Sequence, residues 1–402
     1  MADVVVVGAG PAGTAASITL ARAGRDVVVV DKATFPRDKC CGDGLTTLAL
    51  RELDDFGFDP AAVASWTVVD EALLRAPSGC QVRLPLPAGG GTYAAVAPRL
   101  ELDAALADLA VAAGAKFRAG QAFSVLTPGP AHVEVAVENG EPIRARYVVA
   151  ADGMWSPVRK ALGLTPPDYL GEWHAFRQYV TGVTGPAADQ LIVWFDEDFL
   201  PGYAWSFPMA GRRANVGFGV RRDGTRHGKQ MKAQFAGLLE RPHVRAALGV
   251  DAAWEAGPAA WPIPARIDRA PMAAGRVLLT GDAAMATDVL TGEGIGQALL
   301  TGRLAAEAIV AAGALQPTLA ARRYVADVRR ELVADHRMSA ALGRVLAHRR
   351  GADGALAVLA HAGERGRGHF ARWMFEDEPR AIALTPARWH RRLFARPGVG
   401  RG

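Results

Sequence analysis

Two short, uninterrupted runs of valine near the N-terminus flank a helix-like segment. The valine runs form the ends of two segments, residues 3–7 and residues 26–30, and Asp31 follows the second run. Continuous apolar runs of this length are typical of strands that are buried on both faces of a parallel sheet. Between the runs, residues 14–23 follow a helical pattern that Gly24 ends. The pattern therefore predicts a strand, a helix and a second parallel strand.

Aromatic residues alternate with a small residue in a strand-like segment in the middle of the chain. Tyr203 and Trp205 alternate with Ala204, so both rings should face the same side of a strand. Residues 190–195 form another strand-like stretch, which can pair with the first in a sheet. From Leu304 onward the pattern is helical.

These patterns predict three regions. A discontinuous first unit comprises residues 1–160 and 266–310, and the chain leaves it between residues 155 and 168. An inserted antiparallel sheet domain comprises residues 161–265, and a helical C-terminal region comprises residues 311–402.

Composition is typical of a globular protein without a disulfide framework. Half of the 402 residues are hydrophobic and 22% are charged. Three cysteines, two of them adjacent, favour a reducing compartment, so we expect a cytoplasmic protein. We expect neither a membrane span nor a metal site, because the apolar runs are too short and the histidines lack ligand spacing.

Positive charge is concentrated in the predicted C-terminal helices. From Arg303 onward there are 18 arginines, no lysine and 9 acidic residues, in a chain whose net charge is +5. A solvated helical surface explains such a segment, and peripheral contact with an anionic membrane is the second interpretation. The segment lacks the aromatic interleaving of RNA-binding sheets, so we expect no nucleic-acid partner.

A glycine-rich loop of the GxGxxG type joins the first predicted strand to the helix. Gly8 permits the tight turn, Gly10 lets the backbone approach a pyrophosphate, and Gly13 lets the helix pack closely. The free N–H groups at the helix N-terminus face the phosphates. Asp31 is placed to bind a ribose hydroxyl. The unit predicts a dinucleotide site but does not by itself distinguish NAD from FAD.

Three further segments place an arginine or an aspartate beside predicted elements of the same unit. Arg99 precedes a predicted helix. Asp152 follows a predicted strand in an Asp-Gly turn, and Asp282 follows another strand after Gly281. An acid at the carboxyl end of a parallel strand lies where such sheets bind ligands, although each segment alone is also ordinary turn chemistry.

In this order, the motifs resemble those of the flavoprotein aromatic-hydroxylase superfamily, which implies FAD as the cofactor. The resemblance implies an α/β chain whose Rossmann-like FAD-binding domain is of the aromatic-hydroxylase type. An inserted antiparallel sheet of α+β type and a helical C-terminal region complete it. Asp282 would bind ribityl or ribose oxygens, and residues 292–296 would begin a helix whose N–H groups face the flavin. The expected cofactor-binding residues are Gly8, Gly10, Pro11, Ala12, Gly13, Asp31, Lys32, Arg37, Gly42, Asp43, Gly44, Arg99, Phe123, Asp152, Gly281, Asp282, Gly292, Gly294 and Ile295.

Two segments are similar to the geranylgeranyl reductase branch of this superfamily, which includes actinobacterial menaquinone reductases. Residues 35–46 match its opening Phe-Pro-Arg and Cys-Gly-Asp-Gly-Leu pattern, with Cys41 as the branch cysteine and Cys40 where many relatives have proline. Residues 203–208 resemble its Tyr-x-Trp-x-Phe-Pro segment, which lines the substrate cavity opposite the flavin. An aromatic wall of this kind suits a long apolar ligand such as a polyprenyl chain.

The catalytic candidates are Cys41, Tyr203 and Trp205. Three roles for Cys41 remain open: a proton donor or flavin-tuning residue, a small packing residue, or half of a redox switch with Cys40. Tyr203 and Trp205 are either ordinary core aromatics or the cavity wall, and the flanking glycine and proline favour the wall.

The resemblance also implies the reaction. Reduced flavin gives a hydride to one carbon of an isolated alkene, and Cys41, Tyr203 or water gives a proton to the other carbon. No second strand–GxGxxG–helix unit is present, so electrons should come from NAD(P)H, a reductase or a ferredoxin-like partner. The hydrophobic or lipid substrate would be a prenylated quinone, archaeal-type lipid, chlorophyll side chain, carotenoid or polyketide.

The same fold supports other functions. A monooxygenase would hydroxylate or epoxidise a natural product, and a non-catalytic flavin sensor would need no aromatic cavity. Halogenases carry Trp-x-Trp-x-Ile-Pro and an active-site lysine, whereas this chain has Tyr203 and Phe207 in that segment and no lysine between Lys39 and Lys116. The monooxygenase is therefore the main alternative to the reductase.

Overall fold

The computed structural model describes residues 1–222, 228–393 and 395–400. Their strands are β1 (Ala2–Val7), β2 (Val27–Asp31), β3 (Gly44–Leu45), β4 (Thr67–Val68), β5 (Glu71–Arg75), β6 (Gln81–Pro85), β7 (Ala95–Val96), β8 (Lys116–Ala119), β9 (Phe123–Pro128), β10 (Val133–Val137), β11 (Ile143–Ala150), β12 (Trp173–Thr181), β13 (Leu191–Trp194), β14 (Tyr203–Met209), β15 (Arg213–Arg221), β16 (Ala253–Trp254), β17 (Ala259–Ile263), β18 (Ala273–Ala274) and β19 (Val277–Leu279). Their helices are α1 (Pro11–Arg22), α2 (Thr47–Asp55), α3 (Arg99–Ala112), α4 (Pro157–Ala161), α5 (Gly228–Leu239), α6 (Pro242–Leu248), α7 (Ile295–Ala312), α8 (Pro317–Val328), α9 (Ala334–Leu346), α10 (Arg349–His361) and α11 (Gly363–Met374).

The first large sheet contains the strand–helix–strand unit that the valine runs predict. β19, β11, β1, β2 and β8 are successive parallel neighbours, and the β9–β10 hairpin joins β11 through antiparallel pairing. The valines of β1 and β2 are buried in one hydrophobic core with residues of α1 and α7. Burial on both faces explains why these strands read as continuous apolar runs.

Helices α1 and α7 approach each other closely because glycine removes side chains from their contact. A Cβ atom on Gly302 of α7 would overlap the carbonyl oxygen of Ala12 and lie 3.1 Å from Cβ of Ala15, both in α1. α7 has 18 residues and a mean hydropathy of 1.2, enough by length and composition to cross a membrane, but 72% of it is buried inside the protein. α7 is therefore a core helix, which holds its N-terminus against the glycine loop.

The second large sheet has the strand order β16-β12-β15-β14-β13-β5-β6, with β17 also paired to β12. β13 pairs antiparallel with β14, as the strand-like stretch of residues 190–195 predicts. One face of the sheet packs on α5 and α6 through residues such as Phe218, Phe235 and Val244. Ala204 faces that helical side, whereas its neighbours Tyr203 and Trp205 face a cavity.

The predicted boundary of the first unit needs a correction at β5 and β6. The sequence assigned residues 1–160 to the FAD unit, but β5 pairs parallel with β13, with Leu191 opposite Ala72. β6 then pairs antiparallel with β5 and forms the edge of the second sheet. This pairing joins segments about 120 residues apart, which local patterns do not reveal.

The C-terminal helices cover the β5–β6 end of the second sheet. Leu356 of α10, Ala371 of α11 and Phe375 share a hydrophobic cluster with Val82 and Leu84 of β6. α8 and α9 are joined by a π-helical turn at Arg329–Val333. The helices thus close one side of the space between the two sheets.

Candidate active site

A cavity of about 1110 Å³ lies between the two sheets and the C-terminal helices. Every predicted cofactor-binding residue except Gly13 lines it, as do the catalytic candidates Cys41, Tyr203 and Trp205. Gly13 lies behind the loop, against the carbonyl oxygen of Gly8. The fold thus brings together motifs that are spread over almost 300 residues of sequence.

The glycine loop presents an open helix N-terminus to the cavity. Gly10 is the N-cap of α1, and no side chain caps that helix. The Asp31 carboxylate accepts hydrogen bonds from the backbone N–H groups of Ala9 (2.7 Å) and Ala33 (2.8 Å). Each oxygen keeps a second lone pair for a ligand hydroxyl. Asp31 therefore holds the loop to the end of β2 while it faces the cavity.

Two arginines flank the glycine loop. A Cβ atom on Gly10 would lie 3.7 Å from Nη2 of Arg37 and 3.8 Å from Nη2 of Arg99. Both guanidinium groups pair with the buried Asp103 at 2.6 Å. Two cations share one anion beside a helix N-terminus, so the local charge is positive. This cradle fits the pyrophosphate of a dinucleotide.

The Asp-Gly and Gly-Asp motifs are joined by a buried arginine. Arg159 donates hydrogen bonds to the carbonyl oxygens of Met154 (2.6 Å) and Ala283 (3.1 Å). The Asp152 carboxylate accepts from Ser156 Oγ (2.6 Å) and from the backbone N–H of Val158 (2.9 Å). Asp152 thus shapes the start of α4 as well as lining the cavity.

Asp282 faces the cavity from the turn after β19. Gly281 has φ +56°, and a Cβ atom there would lie 3.1 Å from Cβ of Ala12 at the start of α1. The Asp282 carboxylate accepts a hydrogen bond from Thr287 Oγ1 (3.2 Å). Glycine is therefore required for this turn to reach α1 and place Asp282 beside the glycine loop.

The start of α7 differs from the sequence-based expectation. The N–H groups of Ile295 and Gly296 were expected to face the flavin, but both donate to Oε1 of Glu293, at 3.0 and 3.1 Å. A carboxylate beside a helix N-terminus is favourable, which explains the local preference. The sequence did not assign a role to Glu293, although an acid directly before a helix is a recognisable capping signal.

The loop that carries Cys41 is held by the second sheet. Asp43 is fully buried and accepts hydrogen bonds from Tyr179 Oη (2.8 Å), Asn215 Nδ2 (2.9 Å) and the backbone N–H of Arg99 (3.2 Å). Burial raises the pKa of Asp43 to about 6, against the hydrogen bonds that lower it. Asn215 Nδ2 also donates to the carbonyl oxygen of Cys41 (2.8 Å). The two sheets are therefore joined by hydrogen bonds at this loop.

The two adjacent cysteines are free thiols. Burial raises the pKa of Cys41 to about 11 and that of Cys40 to about 12. At neutral pH both groups are therefore protonated and weakly nucleophilic. The packing and proton-donor roles of Cys41 both remain compatible with this state.

An aromatic wall forms the opposite side of the cavity. The rings of Tyr203, Trp205 and Phe207 follow one another along β14 with centroids 6.0 Å apart. Phe207 lies against the thin loop backbone, since Cβ atoms on Gly42 and Gly44 would lie 3.2 and 3.1 Å from its ring. The wall is extended by aliphatic and aromatic residues of the C-terminal helices. These are Leu342, Val345, Leu346, Leu356, Leu359, Phe370 and Met374.

Comparison with known proteins identifies the family. The model of the FAD binding domain family matches residues 1–301. The chain is 35% identical over 357 residues to menaquinone reductase of Mycolicibacterium smegmatis, an alignment that covers 80% of this chain and 81% of the relative. It is 33% identical over 320 residues to digeranylgeranylglycerophospholipid reductase 2 of Methanopyrus kandleri, covering 78% of each chain. The chain belongs to the FAD-dependent geranylgeranyl reductase family.

Solved structures support the same fold. A geranylgeranyl bacteriochlorophyll reductase-like protein from Thermoplasma acidophilum superposes with a TM-score of 0.78 at 22% identity, covering 96% of this chain and 99% of that one. The FAD complex of a variant of halogenase PltM has a TM-score of 0.73 at 18% identity, covering 96% and 84%. At these identities the likeness concerns the fold alone.

As a member of this family, the protein is an FAD-dependent oxidoreductase. The predicted cofactor and fold class are confirmed. The residues that would hold FAD fit it chemically: the Gly10, Arg37 and Arg99 cradle for the pyrophosphate, and Asp31 and Asp282 for hydroxyl groups. The individual assignments stay predictions.

Several cavity residues lay outside the sequence-based prediction. Lys39 Nζ lies 3.6 Å from the centre of the Trp261 ring, and burial lowers the pKa of Lys39 to about 8. Arg380, also in the cavity wall, belongs to a cluster of buried carboxyl groups that includes Glu376. Lys39 lies within the predicted segment of residues 35–46 but was given no role there, and no local motif indicates Arg380 or Glu376, because their partners come from distant segments.

Proposed function

We propose that this protein reduces isolated carbon–carbon double bonds in the isoprenoid chain of a hydrophobic substrate such as a prenylated quinone. FAD, when bound and reduced, supplies a hydride. The observation that carries the proposal is the apolar wall of Tyr203, Trp205 and Phe207 along one side of the cavity, where Phe207 contacts the thin backbone of Gly42 and Gly44. The relationship to menaquinone reductase and to a digeranylgeranylglycerophospholipid reductase supports the same substrate class.

The wall residues orient the chain of the substrate and exclude water. β14 supplies flat aromatic faces, and α9 to α11 supply aliphatic side chains such as Leu342, Leu356 and Leu359. An apolar groove of this length fits a chain of repeating isoprene units better than a compact polar ring. Exclusion of water also strengthens the electrostatic interactions in the site while hydride and proton are transferred.

The buried network around Asp43 positions the loop against which the substrate lies. Asn215 joins this loop to the wall, since its Oδ1 accepts a hydrogen bond from Trp205 Nε1 (3.1 Å) and its Nδ2 donates to Asp43. A shift of Trp205 would therefore be transmitted to Cys41 and its neighbours. This coupling keeps the reacting carbon at a fixed distance from the cofactor site.

The reducing electrons come from an external donor in this proposal: NAD(P)H, a reductase or a ferredoxin. The sequence contains one strand–GxGxxG–helix unit, at residues 3–31, and that unit serves FAD. The electron donor therefore binds transiently in each catalytic cycle and does not occupy a dinucleotide-binding domain of its own.

Mass spectrometry of a prenylated menaquinone tests the function. FAD-loaded enzyme is reduced chemically and incubated with the quinone, with and without oxygen, and the product is reoxidised before analysis so that only side-chain changes are scored. The expected product gains two hydrogens per reduced bond under anaerobic conditions. A gain of one oxygen, only in air, would establish the monooxygenase instead. A digeranylgeranyl lipid tested in parallel distinguishes the substrate classes, and the Asp282→Ala variant provides a cofactor-depleted control.

We further propose that the cavity opens toward the surface of an anionic membrane, on its cytoplasmic side. Val345 lines the cavity yet is 56% exposed, and the nearby Val358 is 71% exposed. Arg344 and Arg350 are exposed on the same helical hairpin. Exposed aliphatic residues beside arginines match a surface of acidic head groups over acyl chains. A lipid substrate would enter where the cavity meets that surface.

Sedimentation with vesicles tests this surface. Wild-type protein is expected to bind vesicles of phosphatidylcholine with phosphatidylglycerol and to bind pure phosphatidylcholine weakly. The double variant Val345→Asp/Val358→Asp is expected to bind about 10- to 100-fold more weakly, because burial of two valines is lost. Val250→Asp, at a position that is 97% exposed elsewhere on the protein, is the matched control. Equal binding by the double variant and the control would exclude this surface.

A further inference from the structure

Two partly buried glutamates from distant segments lie at the start of α7, beside the cavity. Glu293 lies in the turn before α7 and lines the cavity. Glu376 follows α11, and its side chain is only 10% exposed. Glu376 accepts hydrogen bonds from Thr46 Oγ1 (2.9 Å) and Gln297 Nε2 (3.0 Å). The pair therefore connects the C-terminal region to the helix that begins at the cofactor site.

The charges around this pair do not balance if every carboxyl group is ionised. Asp288 is the third carboxylate of the cluster, and its Oδ2 lies 3.5 Å from Nε of Arg380. Nη2 of Arg380 also lies 3.5 Å from Oε1 of Glu376. Among the residues that the structure describes, Arg380 is the only lysine or arginine side chain within 4 Å of these three groups. Three negative charges would thus face one positive charge.

Asp288 is the member of the cluster that stays ionised. It accepts hydrogen bonds from the backbone N–H groups of Leu290 (3.0 Å) and Thr291 (2.8 Å) and from Ser339 Oγ (2.6 Å). Arg380 and these donors hold the pKa of Asp288 below its usual range despite its burial. The charge of Arg380 is therefore matched by Asp288, which leaves Glu293 and Glu376 without a full counter-charge.

The two glutamates therefore retain a proton. Burial raises the pKa values of both Glu293 and Glu376; the charge of Glu376 raises that of Glu293 further, and the charges of Asp288 and Asp335 raise that of Glu376, against Arg380 and Thr46. Like charges in one buried site cannot both ionise readily, so the pair keeps a proton near neutral pH. The buried Gln297 Oε1 has no hydrogen-bond partner among the described residues, so an acceptor for a carboxyl proton is available beside Glu376.

The other acidic groups near Glu293 are weaker acids. Burial raises the pKa of Cys41 to about 11. Burial also raises the pKa of Tyr203, whose hydroxyl already donates to the carbonyl oxygen of Thr291. An efficient proton donor has a pKa near the working pH, which favours a carboxyl group over the thiol or the phenol. Glu293, Cys41 and Tyr203 all line the same cavity.

We propose that Glu293 and Glu376 share one proton and that Glu293 donates it to the substrate alkene. This inference rests on the proposed reductase function. One alkene carbon receives the hydride and the other receives the Glu293 proton, so the C=C π bond is replaced by two C–H bonds. Glu293 becomes a carboxylate that the N–H groups of Ile295 and Gly296 stabilise, and the proton is replaced from solvent through Glu376.

Single-turnover experiments in heavy water test the donor. Chemically reduced, FAD-loaded enzyme is mixed anaerobically with a prenylated menaquinone, and side-chain deuterium is measured by mass spectrometry across a pH series. Wild type should incorporate two deuteriums per reduced bond, because the hydrogen that reduced flavin would transfer also exchanges with solvent, and the rate should fall at high pH as the shared proton is lost. Glu293→Gln should keep its FAD but slow the reduction at least 100-fold. Glu376→Gln should remove the repulsion, lower the pKa of Glu293 and move the fall in rate to lower pH.

Control variants separate Glu293 from the alternative donor and from general effects. Glu141→Gln, on an exposed position, should match wild type. Cys41→Ser tests the alternative donor, and the inference requires that it lose less rate than Glu293→Gln. A large loss in Cys41→Ser with a normal rate in Glu293→Gln would overturn the inference.

Infrared spectroscopy provides a readout that needs no substrate. Oxidised wild type at neutral pH should show the carbonyl stretch of protonated, buried carboxylic acids, whose intensity falls in Glu293→Gln and is unchanged in Glu141→Gln. An unchanged band in Glu293→Gln would refute the shared proton. If wild type reduces no prenyl substrate, the proposed function and the donation step fall together, while the infrared band still decides whether the pair holds a proton.

Discussion

At the scale of single residues, this site combines buried acids that have different partners. Asp103 pairs with two arginines, whereas the donors to Asp43 are a phenol, an amide and a backbone N–H. Neutral donors compensate a buried carboxylate only in part, so its pKa rises. Asp43 is therefore a buried carboxyl group whose pKa rises to about 6.

The raised pKa of Asp43 predicts a pH-dependent stability. The ordinary value of 3.8 applies to the unfolded chain, and the folded value is about 6. The folded state therefore holds the proton more tightly, and the free energy of unfolding falls as the pH rises from about 4 to about 6. The size of this effect is at most about 3 kcal/mol.

Chemical denaturation at several pH values, with Asp43→Asn as the comparison, measures this effect. From pH 4 to pH 7 the difference in unfolding free energy should move in favour of the variant by about 2–3 kcal/mol. Asp108→Asn, on the exposed surface of α3, should follow wild type at every pH. Parallel curves for wild type and Asp43→Asn would show that Asp43 does not titrate in this range.

Asp282 gives a prediction for the cofactor. Its carboxylate faces the cavity and is oriented by Thr287, so Asp282→Ala removes an acceptor for FAD hydroxyl groups without a change in the core. Loss of one or two such hydrogen bonds should weaken FAD binding about 10- to 100-fold. The ratio of flavin to protein absorbance after gel filtration measures it, with Asp108→Ala as the control. Stoichiometric FAD in Asp282→Ala would refute the assignment.

At the scale of elements, the sequence pattern predicted the strands and helices whose formation depends on neighbouring residues. β1, α1, β2 and the start of α3 at Arg99 agree with the sequence, because a buried valine run and a glycine loop leave few alternatives. Pairings between distant segments were not predictable: β5 joins β13, and Glu376 lies 83 residues after Glu293. These contacts depend on tertiary packing, which is why the sequence indicated the glycine loop and the aspartates that follow strands but not the cluster of Glu293 and Glu376.

The contact between α1 and α7 leads to a prediction about helix packing. Gly302→Ala would place Cβ against the carbonyl oxygen of Ala12, which is backbone and cannot turn away. The helices must separate, at a cost of about 1–3 kcal/mol in unfolding free energy that exceeds the gain in helix propensity.

The matched control is Gly237→Ala in α5, where a Cβ atom meets nothing within 4 Å. This control should be as stable as wild type or more stable by up to about 1 kcal/mol. FAD affinity, measured alongside denaturation, should fall in Gly302→Ala, because α1 begins at the pyrophosphate cradle. Equal stability of the two variants would show that α1 and α7 are not in tight contact.

At the scale of the whole molecule, the C-terminal region is attached to the first unit by buried charges as well as by apolar packing. Asp377 follows α11, and its fully buried carboxylate pairs with Arg51 of α2 and with Arg372 of α11. The backbone N–H of Thr47, at the start of α2, donates to the carbonyl oxygen of Phe375 (2.8 Å). The cavity is thus closed by a region whose position depends on this junction.

Asp377→Asn should therefore loosen the C-terminal helices and open the cavity. The substitution removes the carboxylate charge that faces two guanidinium groups, and loss of one partner of a buried ion pair costs about 3–5 kcal/mol. Limited trypsin digestion should then cut within α10 and α11, at arginines such as Arg349 and Arg365. Asp353→Asn breaks a surface pair with Arg349 in the same region and should cost less than about 1 kcal/mol.

The FAD content of the two variants shows whether loosening the C-terminal helices affects only the apolar wall or also the FAD-binding domain. The cofactor residues belong mainly to the first sheet and its helices, so Asp377→Asn should keep its FAD while prenyl reduction falls, because the apolar wall from α9 to α11 no longer excludes water. Loss of FAD together with activity would instead mean that the C-terminal region stabilises the cofactor domain itself. Equal protease resistance of both variants would show that apolar packing alone holds the region in place.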